Sequence, residues 1–215
     1  DVSRLARGQI SEEHFALLRR RVWRETDNPI ARRPTMGATE GRKDEQKVKV
    51  WAEPLPKSIK AEGGIITTNE VNVLEEEPVK NLVDSVIANL GKIDILVNAV
   101  GGSTIIQNSS ASVDNLAFDD WNKVLDFNLR GTFLCTHEVI KHMKQQGSGK
   151  IVNISSDAAH SLGEPSSAYV AAKAGIMAFT KKVAKESGPY GVTCNAIAPG
   201  MTLSERIQPR WAQRS

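Results

Sequence analysis

From about residue 59 onward, apolar and polar positions follow a regular rhythm. Ile65–Val73 predicts a strand. Val79, Leu82, Val83, Val86, Ile87 and Leu90 fall at helical spacing, with Pro78 near the start and Gly91 just past the end. The run IDILV at Ile93–Val97 predicts a buried strand. Asp119 or Asp120 can cap a long helix that carries Trp121, Val124, Leu125 and Leu129 and reaches about Gln145. Lys150–Ile154 predicts the next strand. A helix follows over roughly Ser167–Glu186, stopped by Gly188 and Pro189, and Gly191–Ile197 predicts the last strand. Strands alternating with helices imply an α/β fold: a doubly wound parallel sheet with helices on both faces.

The rhythm is absent before residue 58. Residues 1–57 hold Arg19-Arg20-Arg21, Arg32-Arg33 and four prolines, with few apolar positions. One helix is predicted there, capped by Ser11 and carrying Phe15, Leu18 and Val22 at helical spacing. The stretch NPIARRPTMGATEGRKDEQ, Asn28–Gln46, reads as loop or disorder. Val48–Trp51 predicts a short strand. The chain therefore divides into a basic segment, 1–58, and a domain, 59–215.

Composition changes this picture little. A length of 215 residues suits one domain with an appendage. The net charge is +3, and residues 1–60 carry 14 Lys and Arg against 9 Asp and Glu, so the basic excess lies wholly in that segment. It has no aromatic interleaving beyond Trp23, so no nucleic-acid partner is expected. No apolar run approaches the ~20 residues of a membrane span, and no signal peptide is visible. The first residue is Asp rather than Met, as in a fragment or processed product. Cys135 and Cys194 lie far apart in apolar runs. They read as reduced, buried thiols of a cytoplasmic protein.

Candidate chemistry gathers at the strand ends. The run IDILV leads into Asn98-Ala99-Val100-Gly101-Gly102, KIVNI into Ser155-Ser156, and GVTCNAIA into Pro199-Gly200. In a parallel sheet these ends share one edge, where open α/β folds bind ligands. Glycine there lets a backbone approach a ligand closely. Asn128 shares the apolar face of Trp121 and Val124. It is either a site residue or a structural amide bonding nearby backbone, since an unpartnered buried amide costs about 1–3 kcal/mol. Tyr169 and Lys173, in SSAYVAAKAG, stand at i and i+4 on one helix face with small residues between them. A free phenol has a pKa of about 10 and is a poor base at neutral pH. A nearby cation favours the phenolate and tunes such a group for proton exchange.

Ser156 precedes Tyr169 by thirteen residues. DILVNAVGG, DFNLRGTF, GKIVNISS, SAYVAAKAG and NAIAPG occur in that order. This set resembles the short-chain dehydrogenase/reductase family, and looks closest to its 3-oxoacyl-carrier-protein-reductase-like members, over about residues 59–207. The resemblance implies a Rossmann-like fold and an NAD- or NADP-dependent oxidoreductase. Such an enzyme interconverts a small-molecule ketone and a secondary alcohol. It further implies that Tyr169 exchanges the proton. Lys173 would support it and hold the nicotinamide ribose, and Ser156 would bond the substrate oxygen. Asn128 would hold a water in a relay linked to Lys173. Asn98, Ala99 and Gly101 would line the cofactor by backbone. Asn72 and Val73 would meet its adenine, and Pro199, Gly200 and Ser204 its nicotinamide end. A homo-oligomer is expected if the helical interface is intact.

The sequence also departs from the family. Asn-Asn-Ala-Gly is here Asn98-Ala99-Val100-Gly101, and Asn72 stands where an aspartate is usual. The glycine loop that cradles pyrophosphate on a helix N-terminus has only an echo, Met36-Gly37-Ala38-Thr39-Glu40-Gly41, followed by Arg42-Lys43-Asp44. The first βαβ unit is thus expected to be incomplete or remodelled. The C-terminal lid and last strand are expected to be lacking. An alternative function follows: an impaired variant acting as a binding or regulatory partner. The sequence fixes neither the substrate nor NAD against NADP.

Overall fold

The structure is a computed structural model and describes residues 63–65, 67–161 and 165–202. The segment 1–58, with its predicted helix, strand and glycine echo, lies outside the described residues, as does Ser204. The chain divides into two units, Asp1–Glu70 and Val71–Ser215. All elements below belong to the second.

Helix α1, Glu76–Leu90, forms where the apolar stripe predicts it. Val79 and Val83 are buried, and Gly91 ends the helix in the left-handed region at φ 80°, which favours glycine. Strand β1 spans Ile95–Asn98. Helix α2, Phe118–Leu125, runs into a π turn, Asp126–Arg130, and then into helix α3, Gly131–Gln146. Strand β2 is Gly149–Ile154 and a short helix, α4, is Ala158–Ser161. Helix α5, Ser167–Ser187, ends in a 3-10 turn, Gly188–Tyr190, before strand β3, Val192–Ile197.

The strands are all parallel, in the order β1-β2-β3. Leu96, Ile151 and Cys194 stand in register across the sheet. That face packs with Val83, Val139, Met143, Val183 and Val192 into the main core. Helices α1, α3 and α5 supply the covering side chains. A second cluster, Ile106, Val124 and Ala168, with Trp121 and Tyr169 against it, joins α2 to α5.

Four expectations need correction. The described residues of Ile65–Val73 form no strand: Ile65 is 89% exposed, and Asn72 opens the turn into α1. Strand β1 is only half covered, because its second face, with Ile95 and Val97, has no helix on it among the described residues. Ala117, not Asp119 or Asp120, occupies the cap position of α2. The two carboxylates sit in the first turn, where the positive end of the helix dipole favours them. Cys194 is buried, but Cys135 is only partly so; both are free thiols.

Candidate active site

The three strand ends lie on one edge because the strands are parallel and in register. Around that edge the chain makes a set of short cross-links. Ser155 N–H donates to Ile197 O at 2.8 Å, and Asp157 N–H donates to Pro199 O at 2.9 Å. The end of β2 is thereby fixed beside the end of β3. Ser156, half-buried, accepts the Ala158 N–H on its hydroxyl at 3.2 Å and opens α4.

Asn128 is fully buried within the π turn. Its Nδ2 donates to Val124 O (2.8 Å) and Gly102 O (3.0 Å), and its Oδ1 accepts the Gly102 N–H (2.9 Å). One amide thus pairs both backbone groups of Gly102, much as a neighbouring strand would. This settles the structural half of the question about Asn128: its side chain pins the loop after β1. The π turn widens the helix here, and such turns recur at functional sites. Thr132 Oγ1 donates to Asn128 O at 3.1 Å.

Lys173 is 4% exposed. Its Nζ donates to Ile154 O at 2.9 Å and lies 5.7 Å from the centre of the Tyr169 ring. No carboxylate pairs with it among the described residues. Burial therefore pulls the ammonium down from 10.5 to about 8. Gly101 makes room for this arrangement. A Cβ there would stand 2.6 Å from Asn128 Oδ1 and 3.0 Å from Lys173 Nζ, and its φ of 150° favours glycine as well. Tyr169 is half-buried, its ring packed in the second core cluster.

The structure thus brings Gly101, Asn128, Tyr169 and Lys173 together, with Ser156 two residues beyond the carbonyl that holds the ammonium. The other predicted residues fall at different depths. Ala99 and Gly200 are exposed and Pro199 half-buried at the same edge. Val73, 8% exposed, packs against Gly131, where a Cβ would stand 3.0 Å from its Cγ2. The Asn72 side chain is engaged locally: Oδ1 accepts the Leu74 N–H at 3.1 Å and Nδ2 donates to Glu75 Oε1 at 2.7 Å. Asn98 points inward rather than lining the edge with its side chain. Its Nδ2 donates to Thr136 Oγ1 (2.9 Å) and Asn153 Oδ1 (2.8 Å). Asn153 Nδ2 donates onward to Thr180 Oγ1 at 2.9 Å.

This buried polar line, and Ser155 beside it, were missed in the sequence. A signal was present: Asn98 follows one predicted strand and Asn153 interrupts the next near its end, and the two stand in register. The lysine also has chemistry to spare. An ammonium has three donors, and here Ile154 takes one. The remaining N–H groups have no partner among the described residues.

Residues 44–215 match the family described as short chain dehydrogenase. The 3-oxoacyl-[acyl-carrier-protein] reductase of Synechocystis sp. is 40% identical over 158 residues, 73% of this chain and 62% of that protein. The enzyme of that name from Staphylococcus epidermidis is 36% identical over 159 residues, 72% of this chain and 61% of its own length. Among solved structures, a putative short-chain dehydrogenase/reductase from Burkholderia xenovorans superposes with a TM-score of 0.68 at 31% identity, covering 75% of this chain and 60% of that one. A xylitol dehydrogenase solved with NAD+ bound gives 0.67 at 31%, covering 74% and 60%. The chain belongs to the short-chain dehydrogenase family, and its fold is the Rossmann-like α/β fold of those neighbours. It spans about three fifths of the length of the relatives it matches. No helix among the described residues is long and apolar enough to cross a membrane.

Proposed function

We propose that this chain carries the catalytic core of an NAD- or NADP-dependent oxidoreductase that interconverts a ketone and a secondary alcohol. The observation that supports it most is the buried Lys173 ammonium. It is held by one backbone carbonyl, beside the Tyr169 ring, at the edge where the parallel strands end. A buried cation with no carboxylate is costly. It makes sense where an oxygen close by develops negative charge. The cofactor, when bound, supplies or accepts the hydride. The protein supplies position and a proton path.

In the reducing direction the Tyr169 hydroxyl donates a proton to the substrate oxygen. Lys173 stabilises the phenolate left behind and passes a proton back towards it. Ser156 hydrogen-bonds the substrate oxygen, and Asn128 pins the loop after β1 to the π turn, with Gly101 of that loop beside the Lys173 ammonium. Lys173 and the backbone of Asn98, Ala99 and Gly101 would hold the nicotinamide half, with Pro199, Gly200 and Ser204 at its far side. Asn72 and Val73 would meet the adenine.

The substrate is a small-molecule carbonyl compound or alcohol. 3-Oxoacyl thioesters are the first to test, because two relatives are named for them. The cytoplasm is the proposed compartment. Second copies are the proposed partners, through the apolar groove of Leu129, Phe133, Gly175 and Phe179, in which Phe133 is 46% exposed. Sedimentation of the wild type and of Phe133→Asp tests that point: dissociation on substitution supports it, and a monomeric wild type refutes it. The functional test is titration of the chain with NADH and NADPH, followed by turnover of 3-oxoacyl thioesters. Saturable micromolar binding with turnover supports the proposal. Millimolar or weaker binding overturns it for this chain.

A further inference from the structure

We propose that Ser155, the serine ahead of Ser156, is a positioning residue that fixes the Lys173 ammonium. The inference rests on the functional reading above only in calling that position productive. Its geometry stands by itself.

Ser155 is 3% exposed. Its Oγ donates to Lys173 O at 2.8 Å, across eighteen residues of sequence. The preceding residue, Ile154, accepts the Lys173 Nζ at 2.9 Å on its carbonyl. Lysine 173 is therefore gripped at both ends by two adjacent residues of one strand end. The hydroxyl takes its main-chain carbonyl, and the carbonyl takes its ammonium. The strand end itself cannot drift, because the Ser155 N–H is bonded to Ile197 O on β3.

The two grips have different consequences. A lysine stem has four rotatable carbons, so one bond at Nζ leaves the ammonium free to follow any shift of the helix. The bond at the main chain removes that freedom. It sets how far along β2 the helix α5 lies, and it moves Tyr169, one turn earlier, as the same rigid body. Leaving a hydroxyl buried this deeply unpaired is costly, and the Lys173 carbonyl is the acceptor it has among the described residues. Gly101 closes the other side, since its missing Cβ leaves the space beside Nζ. Tyr169 is the titratable side chain next to the ammonium. The strands and helices packed on α5 bring no carboxylate or second cation to bear on it among the described residues. The ammonium's environment is thus set by burial and position alone, and position depends on Ser155.

The test follows the Lys173 side chain directly, in the full chain labelled with 13C and 15N lysine, by its Cε and Nζ shifts between pH 6 and 11. Lys173→Met identifies the signal. In the wild type the midpoint is expected near 8. In Ser155→Ala the loosened turn lets water reach the ammonium. The midpoint is then expected to rise by at least about half a pH unit, a threefold change in the protonation equilibrium. Ser155→Thr restores the hydroxyl and the wild-type midpoint. Ser155→Cys keeps the volume with a weaker donor and gives an intermediate value, which covers the case in which the alanine variant does not fold. A wild-type midpoint in folded Ser155→Ala or Ser155→Cys overturns the proposal. A merely space-filling serine would lower the melting temperature without moving the midpoint. Where turnover is measurable, Ser155→Ala lowers kcat about tenfold with KM little changed. A chain that shows the midpoint shift but no hydride transfer would sink the functional reading and leave the role of Ser155 standing.

Discussion

The covered face of the sheet has two halves, and they are made of different material. Away from the site, Met143, Ile151, Val183, Val192 and Cys194 form an apolar core. Towards the strand ends, the same face turns polar. Thr136, Asn98, Asn153 and Thr180 bond to one another in a line across the sheet. Nearer the strand ends, Ser155 bonds the Lys173 carbonyl and Asn128 bonds Gly102. Burying polar groups gains less stability than burying apolar ones, and a broken partner is costly. What the polar half gains is direction: hydrogen bonds fix angles, whereas apolar contacts fix volume. The lesson is a division of labour, with the apolar half holding the fold and the polar half aiming the site.

The largest effect should come from the reacting atom alone. Tyr169→Phe is expected to lower turnover about 10²- to 10⁴-fold while the melting temperature stays nearly constant. A comparable loss of stability would blur the division between the halves. The apolar half should behave oppositely. Ile151, fully buried, changed to Ala is expected to cost about 2–5 kcal/mol in denaturant titration, with kcat at low temperature little affected.

Lys173→Met sharpens the contrast further, since it should gain stability and lose function. The drop of the ammonium from 10.5 to about 8 corresponds to about 3 kcal/mol at neutral pH. Below pH 8 the lysine is charged in both folded and unfolded chains, and the full cost of burying it applies. Between pH 8 and 10.5 the folded chain has released the proton and the unfolded chain has not, so the cost fades as pH rises. The stabilisation from Lys173→Met is therefore expected to be largest below pH 8 and to shrink above it. Turnover in the reducing direction should fall above pH 8 for the same reason.

Smaller changes probe the line itself. Asn153→Leu removes the acceptor of Asn98 and the donor to Thr180, and should cost about 1–3 kcal/mol while also lowering turnover. Ser166→Ala marks the low end. The Ser166 hydroxyl is buried without a partner among the described residues, so its loss should be neutral or stabilise by less than about 1 kcal/mol.

Much of this was legible in the chain, and the reasons are physical. Helix α1 was readable because its stripe, Pro78 and Gly91 agree at every level. The strands β2 and β3 were readable as short apolar runs closed by turn residues. Tyr169 and Lys173 were readable because helical spacing is rigid, so i and i+4 become neighbours whatever surrounds them. The π turn was not: DFNLR has no local feature that separates it from plain helix, and the widening depends on what Asn128 bonds across space. The double grip on Lys173 was equally hidden, because Ser155 and Ile154 lie eighteen and nineteen residues before the lysine they hold. The strand predicted at Ile65–Val73 failed for a related reason. A β-branched stretch such as IITT states a preference, but a strand needs an edge to pair with, and that edge is not local information.

In the proposed reaction the Tyr169 hydroxyl, beside a buried Lys173, moves a proton to a carbonyl oxygen during hydride transfer. The most direct measurement follows the absorbance of NADH or NADPH at saturating 3-oxoacyl thioester, comparing the wild type with Tyr169→Phe under identical conditions. Steady oxidation of the cofactor by the wild type is expected, and at least a hundredfold slower oxidation by the variant, with both binding the cofactor equally well. Equal rates in the two chains would contradict it.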